Sequence, residues 1–100
     1  MKYNKLVRDN IPEIIERKGD TPTTHVAGDE EYWKKIKEKL QEEVDEFMED
    51  ASMEELADIL EVIDTICEYR GFDKNELMAI KEKKAKERGG FKKRIILDES

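Results

Sequence analysis

Cysteine and long apolar runs are almost absent from this sequence. Its 100 residues include one cysteine, Cys67, which cannot form an internal disulfide and cannot make a zinc site by itself. No apolar run approaches the length of a membrane span or of the core of a signal peptide. We therefore expect a cytoplasmic protein that has no membrane partner.

Positive charge is in the minority. The chain has 26 Asp and Glu residues against 19 Lys and Arg, and its formal net charge is −7. This acidity argues against a nucleic acid polymer or an anionic membrane as the main partner. A chain of this length can bury about two-thirds of its unfolded surface as one domain. Since no repeat, linker or low-complexity segment divides it, we predict a single domain over residues 1–100.

Capping and turn signals predict four helices on one core, an all-α four-helix bundle. The first helix is predicted to start after Asp9 or Asn10 and to end at Gly19, and the second to run from Asp29 to about Asp50. The third is predicted to run from Ser52 to about Gly71, and the fourth from Asp73 to Gly89-Gly90. Ser52 with Glu55 and Asp73 with Glu76 have the spacing of capping boxes. Two segments are candidates for short strands: the one through His25, and residues 92–97, which alternatively form an apolar strip that docks on the core or on another subunit.

Two carboxylates of the second predicted helix lie on or beside its apolar face. At about 100° per residue, one arc of that helix is formed by Trp33, Ile36, Leu40, Val44, Phe47 and Met48. Glu43 falls inside this arc, beside Ile36. Glu46 lies about 60° round the helix, at the edge of the arc.

The third predicted helix repeats this geometry. Its apolar arc consists of Leu56, Ile59, Leu60, Val62, Ile63, Ile66 and Cys67. Glu55 falls inside the arc, and Asp58 lies about 60° round at its edge. If the two helices run antiparallel across the short break between them, the four carboxylates meet at one margin of the core.

Such a meeting of carboxylates is unfavourable without compensation. Two unit charges about 6 Å apart repel by roughly 3 kcal/mol at an effective dielectric constant near 20. Either several of the groups are protonated, or a divalent cation lies among them. Oxygen ligands select hard cations, so Mg²⁺, or else Mn²⁺, is predicted, and Mg²⁺ commonly shares its coordination with phosphates. The alternative is a solvated helix face with ordinary ion pairs.

The acidic stretches resemble a known enzyme family. EEVDEF followed by EELADILEVID is similar to the EExxE…ExxD signature of the all-α NTP pyrophosphatases, which include MazG-like enzymes, dimeric dUTPases and phosphoribosyl-ATP pyrophosphohydrolases. YNKLVRDNIPEII near the start and EKKAKERGGF near the end resemble a small MazG-related subfamily of predicted house-cleaning enzymes. Together these blocks contain 40 residues and are distributed between positions 3 and 91 of the chain.

This resemblance implies a MazG-like bundle that hydrolyses a nucleoside triphosphate between its α and β phosphorus atoms, in a Mg²⁺-dependent reaction. The metal ligands that it implies are Glu43, Glu46, Glu55 and Asp58. Glu42 matches the leading glutamate of the signature, and either Glu42 or Glu46 would accept the proton of the attacking water. Glu61 and Asp64 repeat the spacing on the polar side of the third helix, so we assign them no ligand role.

Cations are required to bind the phosphates, because an acidic protein otherwise repels a polyanion. The candidates are Lys5 and Arg8 from the first matched block and Lys84 and Arg88 from the last. Arg suits a bidentate phosphate contact, and Lys a point-charge contact. Two simpler roles remain open. Lys84 and Arg88 lie in the last turns of a helix, where the dipole favours cations, and Lys5 and Arg8 flank an N-terminal segment.

Three functions follow from the sequence. The first is a pyrophosphohydrolase that removes non-standard nucleotides. The second is a phosphoribosyl-ATP pyrophosphohydrolase of histidine biosynthesis, and the third is a catalytically inert helical interaction module. Because four helices of this length offer a limited core, we also expect a homodimer or a larger homo-oligomer.

Overall fold

The computed structural model of the protein describes residues 3–100, which form four α-helices. These are α1 (Ile11–Arg17), α2 (Asp29–Glu49), α3 (Met53–Arg70) and α4 (Lys74–Arg88). The all-α, four-helix architecture predicted from the sequence is confirmed. Neither candidate strand is present, since residues 3–100 contain no strand. Neither segment has a neighbouring extended segment to pair with, and a strand without a partner leaves its backbone groups unbonded.

The helix ends follow local sequence signals closely. Ser52 caps α3 by accepting a hydrogen bond from the Glu55 N–H at 3.3 Å, and Asp73 caps α4 through the N–H groups of two residues in its first turn. Gly71 ends α3 in the left-handed region, at φ 69°. One cap was predicted wrongly: Gly28 is the N-cap of α2, and Asp29 is its first helical residue.

α2 and α3 form an antiparallel hairpin that provides the core. Its buried apolar side chains are Ile36, Val62 and Cys67. At the open end of the hairpin, the ring of Trp33 stacks on that of Tyr69 with centroids 5.3 Å apart, and the Tyr69 hydroxyl donates to the Asp29 carbonyl at 3.2 Å. These contacts fix the start of α2 against the end of α3 and so set the register between the two helices.

The N-terminal segment crosses this hairpin. The ammonium of Lys35 donates to the Asn4 carbonyl at 2.7 Å, and Leu6 and Val7 are half-buried. α1 follows, with Pro12 in its first turn as predicted. The segment therefore lies beside the part of the hairpin that carries the acidic residues.

α4 stands apart from the rest of the protein. Every residue from Gly71 to Ser100 is exposed, and α2 and α3 are the one pair of helices in residues 3–100 with extensive mutual contact. The radius of gyration is 17.8 Å, against about 13 Å for a compact domain of 100 residues. No helix within residues 3–100 combines the length and the apolar character that crossing a bilayer requires.

Candidate metal and phosphate site

Three carboxylates from the two hairpin helices converge at one point. Glu43 of α2 and Glu55 and Asp58 of α3 each place an oxygen within 4.8 Å of the other two. Glu43 is buried, with 5% of its surface exposed, and the other two are half-buried. We call Glu43, Glu55 and Asp58 the acidic triad.

The local structure at the start of α3 directs Glu55 into the triad. In a full capping box, the Glu55 side chain would accept from the Ser52 N–H. Here the Ser52 N–H donates instead to the Asp50 carbonyl at 2.7 Å. The hydrogen bond from the Glu55 N–H to the Ser52 hydroxyl is present. The Glu55 carboxylate does not take the capping role that the sequence suggested, so it is available to the triad.

Two oxygens of the triad have no hydrogen-bond partner. Glu43 Oε2 and Glu55 Oε2 are both buried and unpaired. An unsatisfied buried acceptor costs about 1–3 kcal/mol, and more if it is charged. Several carboxylate oxygens around one point are a donor set that suits a hard divalent cation such as Mg²⁺ or Mn²⁺. The unpaired oxygens therefore fit a cation in a way that a solvated helix face does not.

Electrostatic conditions at Glu43 oppose ionisation. Burial raises the pKa of Glu43, and the nearby charges of Glu46 and Asp58 raise it further. The Lys39 ammonium, 3.1 Å from Glu43 Oε1, lowers that pKa without reversing the shift. A cation among the triad would remove the charge repulsion and satisfy the second oxygen.

Glu42 and Glu46, the predicted proton acceptors, both lie outside the triad. Burial alone would raise the pKa of Glu42, but the hydrogen bond from Lys5 and the charge of Lys39 bring it below its ordinary value. The Lys5–Glu42 distance is 3.0 Å. Glu46 is exposed and close enough for its charge to act on Glu43 and Lys5. The metal-ligand role of Glu46 stays a prediction.

Arg8 lies directly against the triad. Its guanidinium donates to Asp58 at 2.8 Å and lies 3.8 Å from Glu61. The hydrogen bond to Asp58 raises the pKa of Arg8, and the hydrogen bond to Glu42 raises that of Lys5, so both cations stay charged. Two of the four predicted phosphate-binding cations thus lie beside the acidic residues.

A cleft of about 440 Å³ opens between the N-terminal segment and the hairpin. The charged residues that line it are Lys5, Arg8, Lys39, Glu43, Asp58 and Glu61. The apolar residues that line it are Leu6, Val7, Ile11, Ile15, Ile36 and Val62, together with Tyr3 and Thr65. The cleft therefore combines two carboxylates of the triad with cations and with apolar side chains.

Lys84 and Arg88, the other two predicted phosphate-binding cations, do not line this cleft. Both are exposed on α4, and α4 has no extensive contact with the hairpin. Conversely, the sequence analysis missed Lys39, which lies within 3.4 Å of Glu42 and 3.1 Å of Glu43. Lys39 could have been identified from its spacing, because it precedes Glu42 by three residues and Glu43 by four, and residues at these spacings are neighbours on a helix.

Comparison with known proteins adds one partial match. A stretch of 42 residues, 42% of the chain, is 50% identical to a protein of Mycolicibacterium smegmatis (strain ATCC 700084 / mc(2)155) described as uncharacterized, and covers 43% of that protein. The chain thus spans less than half the length of the curated relative that it matches. No protein-family model matches the chain, and no solved structure matches it.

Proposed function

We propose that this protein is a Mg²⁺-dependent nucleoside triphosphate pyrophosphohydrolase that cleaves between the α and β phosphates and removes non-standard nucleotides in the cytoplasm. The products are a nucleoside monophosphate and pyrophosphate. The observation that carries the proposal is the acidic triad with two buried, unpaired oxygens, next to the cations of the cleft. The resemblance of four sequence blocks to the all-α NTP pyrophosphatases supplies the reaction class.

The triad would hold the metal. Glu43, Glu55 and Asp58 supply oxygens from two rigid helices, and Glu46 is the fourth proposed ligand, on the exposed side. When bound, Mg²⁺ or Mn²⁺ would neutralise phosphate charge and lower the pKa of a coordinated water. The helices fix the carboxylates before the substrate arrives, so little reorganisation is needed on binding.

Arg8 and Lys5 would bind phosphate oxygens. In the absence of substrate, Arg8 and Asp58 neutralise each other. Once Asp58 faces a cation, the donors of Arg8 become available to a phosphate, for which the planar guanidinium is well shaped. Lys5 also lines the cleft and provides a second positive charge.

A carboxylate outside the triad would accept the proton of the attacking water. Glu42 has a lowered pKa and is ionised at neutral pH, although Lys5 and Lys39 occupy part of its accepting capacity. Glu46, which is exposed, is the second candidate. Comparing the pH dependence of kcat for Glu42→Gln and Glu46→Gln assigns the acceptor, because only loss of the acceptor removes the acidic limb of the profile.

The test is pyrophosphate release from a panel of standard, damaged and modified nucleoside triphosphates and phosphoribosyl-ATP, in Mg²⁺, Mn²⁺ or EDTA. We expect metal-dependent release of pyrophosphate and monophosphate, fastest with a non-standard nucleotide. A strong preference for phosphoribosyl-ATP would assign the biosynthetic role instead. Release of inorganic phosphate alone would contradict α–β cleavage. No turnover together with no metal-induced change in melting temperature would favour the inert helical module.

A further inference from the structure

One face of α4 combines apolar and basic residues. At about 100° per residue, Lys84 and Arg88 lie about 20° to either side of Leu77, and Ile80 lies about 60° from Leu77. All four side chains are exposed. Any surface that packs against Leu77 and Ile80 would therefore also meet Lys84 and Arg88. We call residues 74–94 the basic arm.

The charges of the basic arm and of the hairpin are complementary. Residues 81–94 contain eight Lys and Arg against two Glu. Residues 38–64, which we call the acidic hairpin, contain twelve Asp and Glu against one Lys. Regions of opposite charge attract over distances of about 10 Å at moderate ionic strength. The acidic hairpin is thus the surface of this chain that best fits the basic arm.

A single chain leaves too much apolar surface uncovered. Within residues 3–100 three apolar side chains are buried, whereas α3 exposes a stripe at i, i+3 and i+7 formed by Met53, Leu56 and Leu60. The end of the chain exposes Ile95, Ile96 and Leu97. Contiguous apolar surface of this kind commonly marks an interface, and these side chains remain exposed in the single chain.

The arm contacts its own hairpin at its base, where the Lys74 ammonium lies 3.5 Å from Asp64, and the connection between α3 and α4 directs the rest of the arm away from it. The Phe72 N–H donates to the Cys67 carbonyl at 2.9 Å, Gly71 is left-handed, and Asp73 caps α4. Such a connection, with its backbone groups bonded at both helix ends, fixes the direction in which α4 leaves. Folding the arm back onto its own chain would require these bonds to break.

We propose that the basic arm of a second copy of this chain lies across the acidic hairpin, and that it places Lys84 and Arg88 of that copy beside the acidic triad. In a two-fold dimer both arms make this contact, so the complementary charges pair twice. The arm contact stands independently of the proposed function. The further role of Lys84 and Arg88, binding the distal phosphates of the nucleotide in trans, rests on that function.

The first test locates the arm and needs no activity. Equal amounts of ¹⁴N- and ¹⁵N-labelled protein are unfolded and refolded together, and then joined with a carbodiimide, which links lysine amines to carboxylates in direct contact. We expect a dimer by light scattering, and links from Lys84 to carboxylates of the acidic hairpin in peptides of mixed isotope. A monomer, or links found only between peptides of the same isotope, would overturn the proposal.

Two charge-reversal variants with the same change in net charge test which face of the arm makes the contact. Lys84→Glu with Arg88→Glu changes the proposed contact face, and Lys83→Glu with Lys86→Glu makes the same charge change on other faces of α4. We expect the first pair to weaken dimerisation at least tenfold in low salt and the second pair to weaken it less than threefold. Equal effects would show that general charge, and not this face, holds the dimer, which contradicts the proposal.

The second test asks whether the site is shared. Glu43→Gln removes a triad carboxylate and keeps a normal arm. Lys84→Glu with Arg88→Glu keeps the triad intact and removes the two cations of the arm. Refolded together in equal amounts, two inactive variants should recover about a quarter of wild-type turnover, because half of randomly paired dimers are mixed and each mixed dimer has one complete site. Mixed dimers without recovered turnover would overturn the shared site. An inactive wild-type protein that still gives mixed-isotope links would instead refute the proposed function and leave the arm contact standing.

Discussion

Glu42 and Glu43 are adjacent in α2, yet their pKa values are shifted in opposite directions. Burial acts to raise the pKa of Glu42, but the hydrogen bond from Lys5 at 3.0 Å and the charges of Lys39 and Lys5 together outweigh that effect, so its pKa is lowered. Glu43 is buried beside other carboxylates, and its pKa is raised. One glutamate is satisfied by cations of the protein itself, and the other has an oxygen without a partner.

Removing the charge of each glutamate should therefore have opposite effects on stability. In EDTA at neutral pH, we expect Glu43→Gln to raise the free energy of unfolding by about 1 kcal/mol, since it removes a buried charge that Lys39 compensates only in part and that lies beside other carboxylates. This corresponds to a rise of about 4–8 °C in melting temperature for a domain of this size. Glu42→Gln should lower the free energy of unfolding, by less than about 1 kcal/mol, because it removes a partly exposed ion pair. Thermal unfolding of both variants provides the measurement, and changes of the same sign would contradict the assignment.

The pH dependence of stability should separate the same two residues. Because the folded-state pKa of Glu43 is raised, its contribution is most favourable below the ordinary pKa of glutamate and is lost as the pH rises through the folded value. Because that of Glu42 is lowered, its contribution is present above the ordinary value and is lost as the pH falls through the folded value. Denaturant unfolding in EDTA from acid to neutral pH should show a flatter decline toward neutral pH for Glu43→Gln than for wild type. Identical profiles would refute the raised pKa.

Glu55→Gln should abolish stabilisation by metal, while Glu54→Gln, one residue away and exposed, should not. At a free Mg²⁺ concentration about 100-fold above the dissociation constant, binding to the folded state adds about 2.7 kcal/mol to the wild-type free energy of unfolding. Differential scanning calorimetry with and without Mg²⁺ measures this difference. An equal metal response in the two variants would exclude Glu55 as a ligand. Asp58→Asn should lose both the metal response and pyrophosphate release while keeping the fold.

Arg8→Gln should change metal and substrate affinity in opposite directions. The Arg8 guanidinium competes with a cation for Asp58, so its removal should tighten Mg²⁺ binding in the absence of nucleotide. It should also reduce kcat/KM by about 10- to 100-fold, the loss expected for charge-assisted hydrogen bonds to phosphate. Titration calorimetry and steady-state kinetics measure the two effects. Arg17→Gln is the control, because the ion pair of Arg17 is with Glu13 of its own helix, at 3.0 Å, and its loss should change neither quantity.

Ser52→Ala should weaken both the hairpin and the metal site. Loss of this N-cap costs about 1 kcal/mol and loosens the turn of α3 that carries Glu55. We expect a lower melting temperature in EDTA and a weaker response to Mg²⁺. Ser52→Thr keeps a capping oxygen and should restore both. A Ser52→Ala variant with a normal metal response would show that the cap does not position Glu55.

The helices could be predicted from sequence because their signals are local. The Ser52 and Asp73 caps and the glycine after α3 act within one turn, and each lies where the sequence placed it. The helical wheel also placed Glu43 and Glu55 on the packed faces, since that placement follows from the helical period alone.

What the sequence left open depends on contacts between distant segments. Whether Glu46 at the edge of an apolar arc reaches the triad depends on how α2 is rotated against α3, and here Glu46 is exposed. The contact of Arg8 with Asp58 joins residues 50 positions apart. The separation of α4 from the hairpin was not predicted, because its thin apolar face is compatible with packing in one chain or across two.

The most direct test of the acidic triad is an anomalous-scattering map from crystals of the protein soaked in Mn²⁺. We expect one strong peak within about 2.5 Å of an oxygen of each of Glu43, Glu55 and Asp58, and loss of that peak in Glu43→Gln. A map that shows no peak among these three side chains, at Mn²⁺ concentrations that label other sites, would contradict a metal centre between α2 and α3.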